Sequence, residues 1–263
     1  MIRLFIFFAL SILVLSCSSN VTDPTPDSSK KGSLLVVFEN KFGSEEFELL
    51  KRFTLNDSIT VVTEDFKYYV SNIVLNNSNG SQYVLPKETS YFLINQAQII
   101  TQSINLQYIP EGDYSSISFI LGIDSAKSVS PVGERIGVLD VAGEAKSMYW
   151  TWNSGYIFFA LEGMYTTPRL INNSFKYHIG GFGGYNAPNL NNIKTITVPF
   201  GSSVLKIREG NKPHVHISAD ISTLFKGDEA ISIEANPTVM FSPYSVNVAN
   251  KYATMFQFGK IMD

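Results

Sequence analysis

The chain has 263 residues, of which 44% are hydrophobic, 13% aromatic and 16% charged, and its formal net charge is −3. Intrinsic disorder over most of the length is excluded, because disordered chains combine low hydrophobicity with high charge. The weakly acidic balance argues against a nucleic-acid-binding protein, whose surface would carry an excess of Lys and Arg. The chain has a single cysteine, which excludes an intrachain disulfide, a cysteine-based zinc site and a Cys-x-x-Cys redox pair.

The first sixteen residues have the pattern of a secretory signal peptide. Met1–Arg3 is a short positive segment, and Leu4–Leu15 is apolar except for Ser11. At 1.5 Å per residue the apolar segment reaches about 18 Å, which is too short for a bilayer core of about 30 Å. We therefore predict a signal peptide over residues 1–16 and not a membrane span.

The residues before Cys17 resemble a lipobox, with the apolar Val14 three positions before the cysteine and the small Ser16 next to it. We expect Cys17 to be lipidated, which would make the protein an outer-membrane lipoprotein of the bacterial cell envelope, facing the periplasm or the outside. The membrane would then be contacted through the lipid anchor only. The alternative is a plain secretory signal in which Cys17 is incidental.

The segment after Cys17 is rich in Ser, Thr, Pro and Asp and has no apolar face. Residues 17–32 are therefore predicted to be the lipidated cysteine and a disordered tether, and residues 33–263 a single folded domain.

Short segments rich in Val, Ile, Phe and Tyr follow one another along the domain, each bounded by turn residues. This pattern predicts an all-β fold, an antiparallel β-sandwich. Asn76–Gly80 predicts a hairpin, since Asn and Gly tolerate positive φ, and Pro110–Asp113 predicts a turn before a strand. The predicted strands are Leu34–Phe38, Tyr68–Leu75, Tyr91–Ile94, Ser116–Leu121, Met148–Trp152, Tyr156–Leu161, Phe175–Ile179, Ile193–Val198 and His214–Asp220.

One short helix is predicted near the C-terminus. Ser242 can cap it, Pro243 suits its first turn, and the apolar positions from Val246 to Phe256 follow helical spacing. We expect this helix to pack against the sandwich.

Both tryptophans of the chain lie two positions apart in the segment Met-Tyr-Trp-Thr-Trp-Asn-Ser-Gly-Tyr, residues 148–156. In a strand their side chains would project from the same face. Five further segments accompany it in a fixed order: Tyr68–Leu75, Gly112–Asp124, Gly137–Asp140, Ile157–Gly163 and Tyr177–Phe182. Together these segments resemble the MbnP-like family over roughly residues 33–258, and the Trp-x-Trp-Asn-Ser-Gly-Tyr segment is the most specific part.

The MbnP-like family comprises copper-binding proteins first named from methanobactin operons, and many members look like lipoproteins of Bacteroidetes-type bacteria. The resemblance implies a secreted β-sandwich that binds copper. It also implies a partner, a di-haem cytochrome c peroxidase-like enzyme that can oxidise a tryptophan to kynurenine. Trp150 and Trp152 are the candidate oxidation sites, and the alternative is that both indoles only fill the sandwich core.

Copper(I) prefers imidazole, thioether and thiolate ligands, and with Cys17 lipidated the chain offers its three histidines and its methionines. His214 and His216 share one face of a predicted strand and lie about 6.6 Å apart along it, close enough to bind one ion. His178 would complete a three-nitrogen site if its strand is a neighbour. The alternatives are a solvated strand face for the pair, and a structural hydrogen bond to a backbone carbonyl for His178, which precedes a glycine-rich stretch predicted to be a surface loop.

The sequence offers no candidate nucleophile–base pair for an enzymatic activity of its own, and it contains none of the common catalytic or nucleotide-binding motifs. Asp124, Asp140, Glu162 and Asp220 suit turn capping or an oxygen-ligated ion equally well. The main alternative to a copper protein is a non-catalytic carbohydrate-binding or adhesive β-sandwich lipoprotein, in which exposed Tyr and Trp side chains stack on the ligand.

Overall fold

The structure is a computed structural model, and it describes residues 25–56, 58–151 and 155–263. The predicted signal peptide, Cys17 and Trp152 lie outside these residues. Within them, the helices lack the length and apolar character that crossing a membrane requires.

The described residues form sixteen β-strands, two α-helices and several short 3-10 segments. The strands are β1 (Lys31–Phe42), β2 (Glu45–Glu46), β3 (Arg52–Asn56), β4 (Ile59–Asn77), β5 (Gln82–Val84), β6 (Tyr91–Asn95), β7 (Ser103–Pro110), β8 (Gly112–Leu121), β9 (Tyr149–Trp150), β10 (Gly155–Thr166), β11 (Asn173–Gly180), β12 (Lys194–Pro199), β13 (Leu205–Ile207), β14 (His214–Asp220), β15 (Thr238–Val239) and β16 (Phe256–Met262). The helices are α1 (Ser125–Ser128) and α2 (Ser245–Tyr252). The 3-10 segments are Lys87–Thr89, Ile99–Gln102, Val132–Glu134, Gly137–Leu139, Glu144–Met148 and Ile221–Phe225.

Two sheets contain all of these strands, which confirms the predicted all-β sandwich. Sheet 1 has five strands in the order β16-β14-β1-β2, with β7 also paired to β1. Sheet 2 has eleven strands along the path β12-β8-β4-β10-β11-β15, with β3, β5 and β6 on β4, β13 on β8 and β9 on β10. The sandwich is not purely antiparallel, because β1 pairs with β14 and β11 with β15 in parallel. Such strands cannot be joined by a tight turn, and long connections separate them in the chain.

The alternation of buried and half-buried residues explains why these segments are strands. In β14, Val215, Ile217 and Ala219 are buried, while the residues between them face outward. The bounds of β14 agree with the predicted strand His214–Asp220. The hairpin predicted at Asn76–Gly80 is also confirmed, since it joins β4 to β5 with Leu75 opposite Tyr83.

A cluster of aromatic rings joins the two sheets at their centre. Phe38 on β1 packs edge-on against Phe119 of β8, with ring centroids 5.6 Å apart, and against Tyr68 of β4 at 6.2 Å. Phe256 of β16 closes the cluster, 5.2 Å from Phe119. The Tyr68 hydroxyl donates a 2.9 Å hydrogen bond to Oδ1 of Asn40 on β1, so the one polar group among these rings is satisfied by the opposite sheet.

The predicted C-terminal helix exists but is shorter than expected. It begins at Ser245, after Tyr244 and not after the predicted cap Ser242, and it ends at Tyr252. Phe256 lies beyond it in β16, which pairs with β14. Pairing with β14 buries Phe256 in the core. The free energy gained by this burial exceeds the small local preference of the segment for a longer helix.

Replacing Phe119 with alanine should lower the free energy of unfolding by about 3–5 kcal/mol, because the cavity would open between both sheets. Urea unfolding followed by circular dichroism measures this change. Ile171→Ala is the matched control, since that side chain is 78% exposed and its removal should cost less than about 0.5 kcal/mol. Equal losses in the two variants would contradict a core that depends on this cluster.

Candidate functional site

Trp150 is buried in sheet 2 and not displayed on the surface. It ends β9 and pairs with Gly155 at the start of β10, and its side chain is 4% exposed. Its ring lies directly over Gly180, where an added Cβ would stand 2.8 Å from Cζ3 of the indole. Only glycine at this position lets the ring approach the strand so closely.

The glycine-rich stretch after His178 therefore has a packing role. Gly180, Gly181 and Phe182 are buried, and Phe182 makes an isolated bridge with Asn191. The expected surface loop is thus wrong for these residues, because the absence of side chains accommodates the Trp150 ring. Phe241 contacts the same indole edge-on, with centroids 6.1 Å apart.

A cavity of about 240 Å³ adjoins the indole. Its lining includes Trp150, Phe182, Tyr185, Leu190 and Phe241. Protein atoms therefore do not fill all the space around the indole, and the cavity lies directly beside its ring.

Three tyrosines form a separate aromatic cluster, and Tyr149, which precedes Trp150 in β9, projects from the opposite face of that strand. The rings of Tyr149 and Tyr156 lie 5.1 Å apart, and Tyr69 follows at 5.9 Å from Tyr156. Burial raises the pKa of Tyr156 to about 12 and that of Tyr69 further, so both hydroxyls are neutral. They donate hydrogen bonds to the carbonyl oxygens of Leu139 and Val138.

Arg135 lies among these tyrosines and is almost fully buried. Its guanidinium carbon is 5.7 Å from the ring centroid of Tyr149 and 5.8 Å from that of Tyr156. The guanidinium donates to the Tyr149 hydroxyl at 3.0 Å and to the carbonyls of Ser128 and Ser130. The cation thus interacts favourably with the rings of Tyr149 and Tyr156.

His178 lies on the same face of sheet 2 as the Trp150 ring, because it is two residues from Gly180 on β11. Its Nε2 is hydrogen-bonded to Glu162 on β10, and Nζ of Lys176 is 3.2 Å from the same carboxylate. Burial lowers the pKa of His178, so the imidazole is neutral at neutral pH. The carboxylate, and not a backbone carbonyl, is its partner.

His214 and His216 lie together on the outer face of sheet 1, as the alternation predicts. Their ring centroids are 6.5 Å apart. Nδ1 of His216 is 2.7 Å from Oε1 of Glu39 on β1. Burial would raise the pKa of Glu39, but His216 and Lys41 beside the carboxylate together outweigh this effect, and the pKa falls below its ordinary value.

The Glu39 contact fixes the chemistry of the His216 ring. An ionised carboxylate only accepts hydrogen bonds, so Nδ1 carries the proton and Nε2 of the neutral ring has a lone pair. Nε2 is buried, and among the described residues it has no hydrogen-bond partner. A buried polar atom without a partner is uncommon and requires an explanation.

Met262 adds a thioether next to this pair. It lies directly opposite His214 in the antiparallel pairing of β16 with β14. Side chains of opposite residues share one face and have Cβ atoms about 5 Å apart. Met262 cannot be identified from the sequence alone, because its pairing with β14 joins segments far apart in the chain.

The structure does not bring all three histidines together. His178 belongs to sheet 2, whereas His214 and His216 belong to sheet 1. Within residues 25–56, 58–151 and 155–263, no group of three His, Cys, Asp or Glu side chains is arranged to hold a metal ion. Methionine is not one of those residue types, and Met262, opposite His214 in the pairing of β16 with β14, is a further soft donor on this sheet.

Three of the carboxylates noted in the sequence cap turns. Asp124 accepts from the backbone N–H of Lys127 at the start of α1, and Asp140 accepts from that of Ala142. Asp220 accepts from Gly43 and Ser222. This agrees with the capping interpretation.

The similarity of this chain to known proteins extends over most of the domain. No curated protein matches the chain. One solved structure, MbnP from Methylosinus trichosporium, is similar with a TM-score of 0.50 and 15% sequence identity, over 81% of this chain and 82% of that one. At this identity the likeness establishes the fold alone. The family model for MbnP matches residues 31–241, most of the described chain, and the chain therefore belongs to the MbnP family.

Proposed function

We propose that this protein binds copper(I) in the bacterial cell envelope, where a lipid on Cys17 holds it to the outer membrane. A di-haem cytochrome c peroxidase-like partner oxidises a tryptophan of its Trp-x-Trp segment to kynurenine. Membership of the MbnP family supports this assignment, and the buried, unpartnered Nε2 of His216 is the observation in this chain that carries the copper-binding part.

Support for copper binding comes from the donor set on the outer face of sheet 1. Two imidazoles and a thioether are the soft ligands that copper(I) prefers over harder cations. His216, His214 and Met262 would hold the ion, and the bound copper would supply a metal that can be stored or delivered.

Glu39 provides the outer hydrogen-bond partner that most metal-binding histidines have. A ligating histidine almost always donates its second N–H to a carboxylate or carbonyl, which fixes the tautomer and raises the basicity of the ligating nitrogen. Here the Glu39–His216 hydrogen bond holds the ring with Nε2 as the acceptor. Nε2 is buried and has no hydrogen-bond partner among the described residues. A soft cation can therefore bind this nitrogen without first breaking a hydrogen bond within the protein.

Trp150 is the tryptophan whose surroundings support oxidation. It borders a cavity, and Tyr149, which precedes it in β9, begins a series of rings with Tyr156 and Tyr69 whose centroid separations are below 6 Å. Such closely spaced aromatic rings suit the transfer of an electron hole from a partner enzyme that cannot reach a buried indole directly. Trp152 lies outside the described residues and is the second candidate.

The double variant His214→Ala/His216→Ala should bind copper(I) about a hundredfold more weakly or worse, and Glu39→Gln about tenfold more weakly, since it loosens only the outer support. Competition titration with a chromophoric copper(I) chelator measures both. His178→Ala is the matched control and should retain wild-type affinity. Loss of binding in the control with retention in the double variant would move the site to sheet 2 and contradict this assignment.

Oxidation of Trp150 can be tested by peptide mass spectrometry of protein produced with and without the di-haem partner. We expect the mass change of kynurenine at Trp150 only when the partner is present. Trp150→Phe should abolish the modification, and Trp152→Phe should leave it in place. Unmodified tryptophans in protein isolated from its native membrane would contradict the proposal.

Substitution of Cys17 by serine should release the protein from the membrane fraction, because no thiol remains to carry the lipid. Cell fractionation and labelling with a clickable fatty acid measure the change. Wild-type protein that is unlabelled and soluble would instead support the plain secretory signal.

A further inference from the structure

An aromatic groove lies between the two sheets at the free edge of β7. Its volume is about 320 Å³, and its lining includes the rings of Tyr83, Phe92 and Tyr108. Tyr83 belongs to β5 and Phe92 to β6, both in sheet 2, whereas Tyr108 belongs to β7 of sheet 1. The groove shares no lining residue with the cavity beside Trp150, and β1 separates its strand β7 from the histidine pair on β14.

A β-bulge in β7 presents Tyr108 to this groove. Gly32 of β1 pairs with Ile109, but Leu34 pairs with Leu106, so Gln107 and Tyr108 together stand opposite a single residue of β1. The extra residue breaks the inward–outward alternation, and both side chains point outward. Bulges commonly redirect a side chain in this way next to functional sites.

The backbone of Tyr108 is strained, and packing does not compensate for it. Its φ is +60°, in the left-handed region that residues with a bulky side chain seldom occupy. The ring is 79% exposed, whereas many other tyrosines of the described chain, among them Tyr68, Tyr114, Tyr177 and Tyr252, are buried. The bulge accounts for this conformation, and its effect is to place an exposed ring at the groove.

The chemistry of the lining restricts the ligand. The lining residues, all of which lie in described segments, include no Asp, Glu, Lys, Arg or His, so a phosphate, carboxylate or ammonium group would meet no opposite charge there. Asn105 and Gln107 lie two residues apart on β7, joined by a 2.8 Å hydrogen bond from Nε2 of Gln107. The two amides have further donors and acceptors available.

Neutral sugars match this combination. The apolar face of a pyranose ring packs on an aromatic ring, and its vicinal hydroxyls both donate to and accept from amide groups. A proline-rich peptide would also stack on tyrosines, but its carbonyl groups only accept hydrogen bonds. They would pair with the amide N–H groups and leave the amide oxygens without a donor. The pattern of donors and acceptors therefore favours the sugar.

We propose that the groove is a binding site for a neutral oligosaccharide, with Tyr108 stacking on one sugar ring and Asn105 and Gln107 binding its hydroxyls. The groove contains none of the proposed copper ligands, and the envelope location rests on the proposed function. The site would attach a protein of the cell envelope to a neutral glycan.

The test uses the mature full chain and four probes: cellohexaose, laminarihexaose, maltohexaose and mannohexaose, each titrated by isothermal calorimetry. We expect at least one to bind, and Tyr108→Ala to weaken that binding about tenfold or more, as loss of a stacking ring does elsewhere. Ile171→Ala, which removes an equally exposed side chain far along the chain, should leave binding unchanged. Binding of none of the four sugars, undiminished binding by Tyr108→Ala, or binding of a proline hexapeptide in their place would overturn the proposal.

Tyr108→Gly separates a ligand-binding role from a structural one. Glycine adopts positive φ without strain, so this variant should melt about 2 °C higher than wild type, although it binds the sugar more weakly. A lower melting temperature would show that Tyr108 is retained for stability, and the proposal would then be wrong.

Discussion

The parallel pairing of β1 with β14 is the constraint on which the rest of the molecule depends. It joins Leu35–Lys41 to His214–Asp220, residues from opposite ends of the domain, into the centre of sheet 1. The inner face of β1 supplies Phe38 to the aromatic cluster between the sheets, and its outer face supplies Glu39 to His216. One strand thus links the stability of the core to the position of the candidate copper ligands.

β1 also determines the shape of the groove at the edge of sheet 1 opposite β14. On that edge β1 pairs with β7, and the shift in register between Gly32 and Leu34 creates the bulge that displays Tyr108. Sheet 2 contains Trp150. Its strands β9 to β11 enclose Trp150 over Gly180, so Trp150 and the proposed copper ligands belong to different sheets.

Much of this architecture could be predicted from the sequence, because its evidence is local. Alternation predicted β14 with its bounds and the outward direction of His214 and His216, and Asn76–Gly80 predicted the β4–β5 hairpin. Long-range features could not be predicted. Glu39 and His216 are 177 positions apart, and Met262 meets His214 only because the C-terminal segment leaves its helix to become β16. His178 was expected to join the histidine pair, but strand order assigns it to sheet 2 beside Glu162.

X-ray absorption spectroscopy of the copper(I)-loaded protein tests the central claim most directly, because it identifies the atoms bound to the metal. If His214, His216 and Met262 bind the ion, the spectrum will contain imidazole nitrogen and one sulfur in the first shell, and the sulfur contribution will disappear in Met262→Leu. A first shell of nitrogen and oxygen without sulfur, or a sulfur signal that persists in Met262→Leu, would contradict the account.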